Sequence, residues 1–197
     1  MLDAMEKEDP SIRYFTLQDL LDRGETDSEV MEAKEAIPTS KVVAKIFSKQ
    51  KAEGYWEDPA NPYLPKYKST YWQVMILGQL GMDKNHERVQ RACEFILDLQ
   101  LDEGGFSAYT RKTALAEYDW MRSRKALKGK SAPEPNAWTL SHVIEHQYSC
   151  LTGNVCAALL RLSYDRDPRL VKALNWLIKI QNRDGGWLCP YWKAHIK

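Results

Sequence analysis

The sequence predicts an all-α protein built from antiparallel helix pairs, and three observations carry that expectation. Apolar residues recur at helical spacing in several segments, for example Val89, Ala92-Cys93, Ile96 and Leu99. No stretch shows the alternation or the turn chemistry of a strand or hairpin. The pattern Gln-x-x-x-Gly-x-(Trp/Phe) closes three of the helical stretches: QKAEGYW (50–56), QLDEGGF (100–106) and QNRDGGW (181–187).

The elements follow in order. Asp9-Pro10-Ser11 opens a first helix with Ser11 as its cap, apolar at Ile12, Phe15, Leu17 and Leu20-Leu21 and stopped by Arg23-Gly24. Asp27 begins a second, through Val30, Met31 and Ala33 to Pro38. Thr39 or Ser40 caps a third, with Val42-Val43, Ile46 and Phe47 leading to the first motif. Residues 57–66 hold three prolines and the anchors Tyr63 and Leu64, an ordered loop. Ser69 or Thr70 opens a helix through Trp72, Met75, Ile76 and Leu80, and another spans 87–100. Residues 112–128 have helical character, 129–135 (GKSAPEP) form a break, and 139–148 suit another helix. Thr152 caps a helix over 155–162. Asp167-Pro168 starts the last one, a proline directly after a capping aspartate being a good start signal.

The motif marks the chain as an array of similar units. Its glutamines lie 50 and 81 residues apart, so an insertion of about 107–140 separates the second and third units. Residues 87–96 match 168–177, with Phe95 and Trp176 each five residues before a glutamine; Lys45 stands there in the looser first unit. With a one-residue shift, Thr70, Leu80 and Asp83 match Thr152, Leu162 and Asp165. Each unit reads as helix, short turn, helix, glycine, aromatic in one domain over 1–197. Gly54, Gly104 and Gly185 are expected to end helices in the left-handed conformation. Trp56, Phe106 and Trp187 are expected to bury large areas, and Gln50, Gln100 and Gln181 to bond free backbone groups. These nine residues are therefore read first as fasteners between units.

Composition bounds the function. The 197 residues are 44% hydrophobic and 28% charged, ordinary for a soluble globular protein, and the net charge of +1 favours neither nucleic acid nor an anionic membrane. No apolar run reaches membrane-spanning length, and MLDAMEKEDP is too acidic for a signal peptide. Cys93, Cys150, Cys156 and Cys189 form no C-x-x-C pair, which suits a reduced cytoplasmic protein. Seven Trp and ten Tyr are many for this length and suit an apolar or cationic ligand.

The motif, with QNRDGGW behind Trp176-Leu177 as its best copy, resembles the QW repeat of the terpenoid cyclases (squalene and hopene cyclases) and of protein prenyltransferase β subunits. Residues 149–154 (SCLTGN), the turn at 165–169 and the opening DPSIRYF (9–15) resemble bacterial and archaeal prenyltransferase or squalene-oxidase repeat proteins. The resemblance implies an α/α toroid around an apolar, aromatic-lined cavity and an isoprenoid substrate. The chain departs from the family's chemistry. It lacks D-x-D-D, D-D-x-x-D and Asp-x-Cys; Asp165-Arg166-Asp167-Pro168 reads as a helix cap. A closed toroid takes roughly 250–350 residues, so three units predict an incomplete ring closed by a homo-oligomer, a completing chain or a longer protein.

Other chemistry stays open. Ligand candidates are Trp72, Tyr118, Trp120, Arg124 and Trp138, with Arg122, Lys125 and Lys128 available for a diphosphate. His142-Val143-Ile144-Glu145-His146 fits H-x-x-E-H, and a zinc set drawn from Cys150, Cys189 and His142, His146 or His195 is a further possibility. The readings carried forward are an isoprenoid enzyme or remnant, a non-catalytic binding module on the same scaffold, and a zinc protein.

Overall fold

The computed structural model describes residues 9–188. The protein is all-helical among these residues, and their β structure is one isolated antiparallel bridge between Ser107 and Gln147. Among the described residues no helix is long and apolar enough to cross a membrane. In chain order the α-helices are α1 (Pro10–Phe15), α2 (Ser28–Ala36), α3 (Lys41–Phe47), α4 (Thr70–Gln79), α5 (Glu87–Leu97), α6 (Arg111–Ala126), α7 (Pro135–Glu145), α8 (Ser149–Arg161) and α9 (Pro168–Lys179).

Three helix pairs, α1/α2, α4/α5 and α8/α9, share one local construction. In each the turn between the helices holds a residue in the left-handed region: Asp22 (φ 52), Gly81 (φ 83) and Ser163 (φ 67). The second helix then starts on an N-cap side chain, Asp27, His86 or Asp167, which accepts an N–H two residues on. Three and six residues after the cap come buried positions: Val30 and Ala33, Val89 and Ala92, Leu170 and Ala173. Each pair reaches into the next. Lys34 donates to the carbonyl of Gly81 (2.6 Å) and pairs with Asp83 (3.4 Å). At the equivalent junction the Cys93 thiol meets the Tyr164 hydroxyl, and Lys84 N–H donates to Leu162 O (3.0 Å). Helices α4 and α8 lie side by side through Gly78, where a Cβ would meet Ala158 O at 3.2 Å.

The main core gathers Trp56, Tyr71, Leu77, Met82, Ile96, Phe106, Leu159 and Leu162 among others, from α3, the pairs α4/α5 and α8/α9 and the first two motif loops, whereas Leu17, Val30 and Ala33 at the first pair form a cluster of their own. Helices α6 and α7 form a separate excursion. It leaves the stack at Ser107 and returns at Gln147, somewhat longer than the predicted insertion.

Several caps differ from the sequence reading. Asp9, not Ser11, caps α1, accepting from Ser11 N–H at 2.9 Å, because its carboxylate precedes Pro10 at the position that reaches the first free amides. The first helix ends its α-helical part at Phe15 and continues as a π-turn over Thr16–Leu20. Ser40 caps α3, as one of the two residues expected there. Ser69, one of the two residues expected there, holds the N-cap position of α4 without a side-chain cap bond, and Thr152 caps no helix. Helix α8 starts three residues before Thr152, and the Thr70 and Thr152 hydroxyls bond instead to a distant loop.

Candidate functional site

The three motif loops have the same internal build. In each, a tight turn follows a helix end: Gly54 N–H donates to Lys51 O (3.0 Å), Gly104 N–H to Leu101 O (2.8 Å) and Gly185 N–H to Asn182 O (2.9 Å). The glutamine amide spans that turn, donating to the glycine carbonyl at 3.1, 2.9 and 2.6 Å for Gln50, Gln100 and Gln181. The two tryptophans tie back to their own helix. Trp56 Nε1 donates to Ile46 O and Trp187 Nε1 to Leu177 O, both at 2.9 Å. The glycines have φ of 96°, 110° and 87°. They do not terminate helices, as the sequence suggested, because the preceding helices stop at Phe47, Leu97 and Lys179. Their positive φ folds the loop several residues later.

The first two loops are received by the next helix pair. Gln50 Nε2 also donates to Arg88 O in the first turn of α5 (2.9 Å), and Gln100 Nε2 to Arg169 O in the first turn of α9 (2.8 Å). The loop then presses its glycine against the same helix one turn on. A Cβ on Gly54 would fall 2.4 Å from Arg91 O, and one on Gly104 2.5 Å from Lys172 O. Only glycine permits that approach. The N–H of the motif aromatic is taken by a buried hydroxyl on the first helix of the receiving pair: Trp56 by Thr70 (3.1 Å) and Phe106 by Thr152 (3.0 Å). Phe95 and Trp176, the aromatics noted in the sequence, form the floor: Tyr55 packs on Phe95, and Gly105 lies over the Trp176 ring. An arginine closes each junction from the receiving side. Arg88 donates to Gln50 Oε1 (3.0 Å) and to Phe47 O, whereas Arg169 pairs with Glu94 (2.8 Å) and Asp98 (3.9 Å).

The third loop is built like the others and is received by nothing among the described residues. A Cβ on Gly185 would meet no atom within 4 Å. Trp187 is 46% exposed, against 1% for Trp56 and 0% for Phe106. The helix beneath it is uncovered too. Cys93 and Leu97 on α5 are 0% and 2% exposed, whereas Leu174 and Ile178, at the matching positions of α9, are 36% and 68% exposed. Leu188 and Ile180 extend this apolar face. Beside it lies an open groove of about 350 Å³ lined by Ser149, Cys150, Gly153, Leu177 and Trp187. Contiguous apolar area of this kind is what a binding surface offers.

The other residues singled out from the sequence fall in several places. Tyr118 and Trp138 meet in the α6–α7 excursion (ring centroids 5.5 Å apart), with the Tyr118 hydroxyl donating to Pro133 O (2.7 Å). Trp138 stacks on His142 at 4.5 Å, and Tyr109 stands edge-on to both His142 and His146. Trp120, exposed, carries Arg124 over its ring at 5.0 Å. Arg122, Lys125 and Lys128 are also on or just after α6; Arg122 pairs with Asp119 (3.2 Å). Trp72 is remote from these, packed between Tyr63 and Tyr67 with its Nε1 donating to Tyr63 O (2.9 Å). The five ligand candidates thus form no single cavity wall.

His142 and His146 lie at the end of α7 with rings 4.0 Å apart; His142 Nε2 makes no hydrogen bond among the described residues. His146 Nδ1 lies 2.7 Å from His142 O, His142 Nε2 lies 3.5 Å from Glu117, and Glu145 accepts from Ser141 (2.6 Å). Burial, then the neighbouring His146, holds the His142 imidazole below its ordinary pKa despite Glu117. The described residues gather no set of three His, Cys, Asp or Glu suited to a metal ion; Cys189 and His195 lie outside them. Of the described thiols, Cys93 and Cys156 are buried, and that burial pushes them up to about 12 and about 11. Cys150 is exposed in the groove.

Sequence reasoning found the loops and their floor but missed Thr70, Thr152, Arg88 and Arg169 as receiving groups. The offset that pairs Thr70 with Thr152 was the available signal. Comparison with protein-family models and with curated proteins finds no match for the chain.

Proposed function

We propose that this protein is a non-catalytic interaction module. Its helix pairs stack through the Gln-x-x-x-Gly-x-aromatic loop as a partial α/α toroid of the terpenoid cyclase and prenyltransferase type, and its third loop is the docking element. One observation carries this reading: among the described residues the same loop is buried by a helix pair twice and stands open, with its apolar helix face, once. Among the described residues the lining of the groove beside it holds no carboxylate, which suits binding rather than acid-initiated chemistry. The free thiols suit a reducing compartment, in keeping with a cytoplasmic protein.

The test extends the stack covalently. A chain of residues 1–187 followed directly by a second copy of residues 57–106 gives the third loop the helix pair that follows the first. Docking raises the melting temperature and shifts the emission of Trp187 to the blue, relative to Trp187→Phe controls. Unchanged Trp187 emission would remove the reading.

A second reading is favoured by the apolar groove alone. An isoprenoid chain could lie along Leu177 and Trp187. A thermal-shift titration with farnesyl diphosphate, geranylgeranyl diphosphate and squalene decides it; a saturable rise with one of them supports a lipid site, and no shift removes it.

A further inference from the structure

We infer that the occupant of the open third loop is a second copy of this chain, which presents its first helix pair, α1/α2, head to tail. The inference rests on the docking role proposed above and identifies the partner.

The two internal junctions state what a receiver must contain. It supplies a backbone carbonyl two residues past the cap of its second helix, another one turn on, and a hydroxyl near the start of its first helix. The pair α1/α2 has these at matching places. Counting from the caps Asp27, His86 and Asp167, Glu29 stands where Arg88 and Arg169 stand, and Glu32 where Arg91 and Lys172 stand. Counting back from the left-handed residues Asp22, Gly81 and Ser163, Ser11 stands where Thr70 and Thr152 stand. The Ser11 hydroxyl makes no hydrogen bond among the described residues and is covered within one copy, so docking has to uncover it, whereas both threonine hydroxyls hold a motif N–H.

Charge supports the same pairing. At the internal junction between α5 and α9, Arg169 of the receiver faces Glu94 and Asp98 of the donor helix. At the open end the donor positions are Asn175 and Lys179, and at the open receiver the arginine is replaced by Glu29. The signs at Lys179 and Glu29 are reversed together, while Asn175 is neutral, so Glu29 of one copy, which also holds Arg23 (2.9 Å) and Arg13 (3.5 Å) of its own chain, would face Lys179 of the next, as Arg169 faces Asp98. A donor end carrying Lys179 would meet a like charge on a receiver of the Arg169 kind, and meets an opposite one on α2. Each copy has one donor end and one receiver end, so the contact is heterologous and leads to a ring or a chain of copies.

The experiment is sedimentation velocity on the full chain from nanomolar to high-micromolar concentration. Three variants accompany it: Gly185→Asn, Lys179→Glu, and the double variant Lys179→Glu/Glu29→Lys. Asparagine tolerates positive φ, so Gly185→Asn leaves the open loop folded while its Cβ meets the docked carbonyl. The expected result is concentration-dependent assembly of the wild type, weakened about tenfold or more by Gly185→Asn, an effect of about 1.4 kcal/mol. Lys179→Glu weakens it several-fold, and the double variant recovers it. Thermal unfolding of each variant controls for folding. A wild type that stays monomeric throughout overturns the inference, as does assembly indifferent to Gly185→Asn and Lys179→Glu. A double variant no better than Lys179→Glu overturns the assignment of α2 as receiver. If the covalently extended chain docks while the wild type remains monomeric, the second copy is refuted and the docking role stands; if neither associates, both fall.

Discussion

Replacing Gly104 by alanine tests the stacking geometry in one methyl group. Two costs arise. The residue sits at φ 110°, where an L side chain is strained, at about 1–3 kcal/mol. Its Cβ would also fall 2.5 Å from Lys172 O and 3.0 Å from Lys172 C, both backbone atoms of α9 that cannot rotate away. Opening the junction to relieve that overlap is overpacking, worth about 1–3 kcal/mol more. Gly185→Ala supplies the matched control: φ is 87° and nothing lies within 4 Å of the new Cβ, so it carries the backbone strain alone. Gly104→Ala should therefore destabilise by about 2–6 kcal/mol and Gly185→Ala by about 1–3 kcal/mol. Urea unfolding followed by tryptophan fluorescence, at a concentration low enough to exclude assembly, reads the difference as a midpoint roughly 1 M lower for Gly104→Ala. Equal losses for the two variants would refute the claim that the second loop is docked and the third is not.

Further outcomes follow from the same geometry. Thr152→Val keeps the side-chain shape but removes the acceptor of the buried Phe106 N–H, and should cost about 1–3 kcal/mol in the same unfolding assay, with Thr152→Ser nearly neutral. The half-buried His142 resists protonation in the folded state, so the unfolded chain binds its proton first as pH falls. Its contribution is complete above the ordinary histidine pKa of about 6.5, begins to fall below it, and is lost by the depressed folded value; His142→Asn should flatten the stability profile in that window. Peptide-level mass spectrometry after brief iodoacetamide treatment should find Cys150 alkylated and Cys93 and Cys156 protected.

Much of the helical frame was legible in the sequence because its signals are local. Asp27 and Asp167 announce helices by capping chemistry, and Val89, Ala92 and Ile96 announce a buried face by their spacing. The failures came where a side chain serves a distant partner. Thr152 looks like a cap, yet its hydroxyl serves Phe106, 46 residues away. The motif glycines look like helix stops because positive φ is what such stops need, but their second role, contact with the next helix, has no local trace. The difference between Trp56 and Trp187 is the extreme case. The two loops have the same chemistry and the same internal hydrogen bonds, and only the presence or absence of the next pair separates buried from exposed. The scattering of Trp72, Trp120 and Trp138 was equally illegible, since aromatic composition says nothing of where rings meet.

The bridge between Ser107 and Gln147 brings together the two ends of the α6–α7 excursion, strengthened by Ala108 N–H to His146 O (3.1 Å) and Ser107 Oγ to Val143 O (2.8 Å). What lies between these residues hangs from the stack by a closed neck, with one more tie where the Thr110 hydroxyl donates to Ala60 O. The length of material beyond such a neck hardly alters the cost of closing it, because that cost grows only with the logarithm of the loop. The neck is thus a natural port: an engineer could exchange the excursion for a reporter domain there, and a lineage could lengthen or shed it, while the helix pairs on either side keep their register.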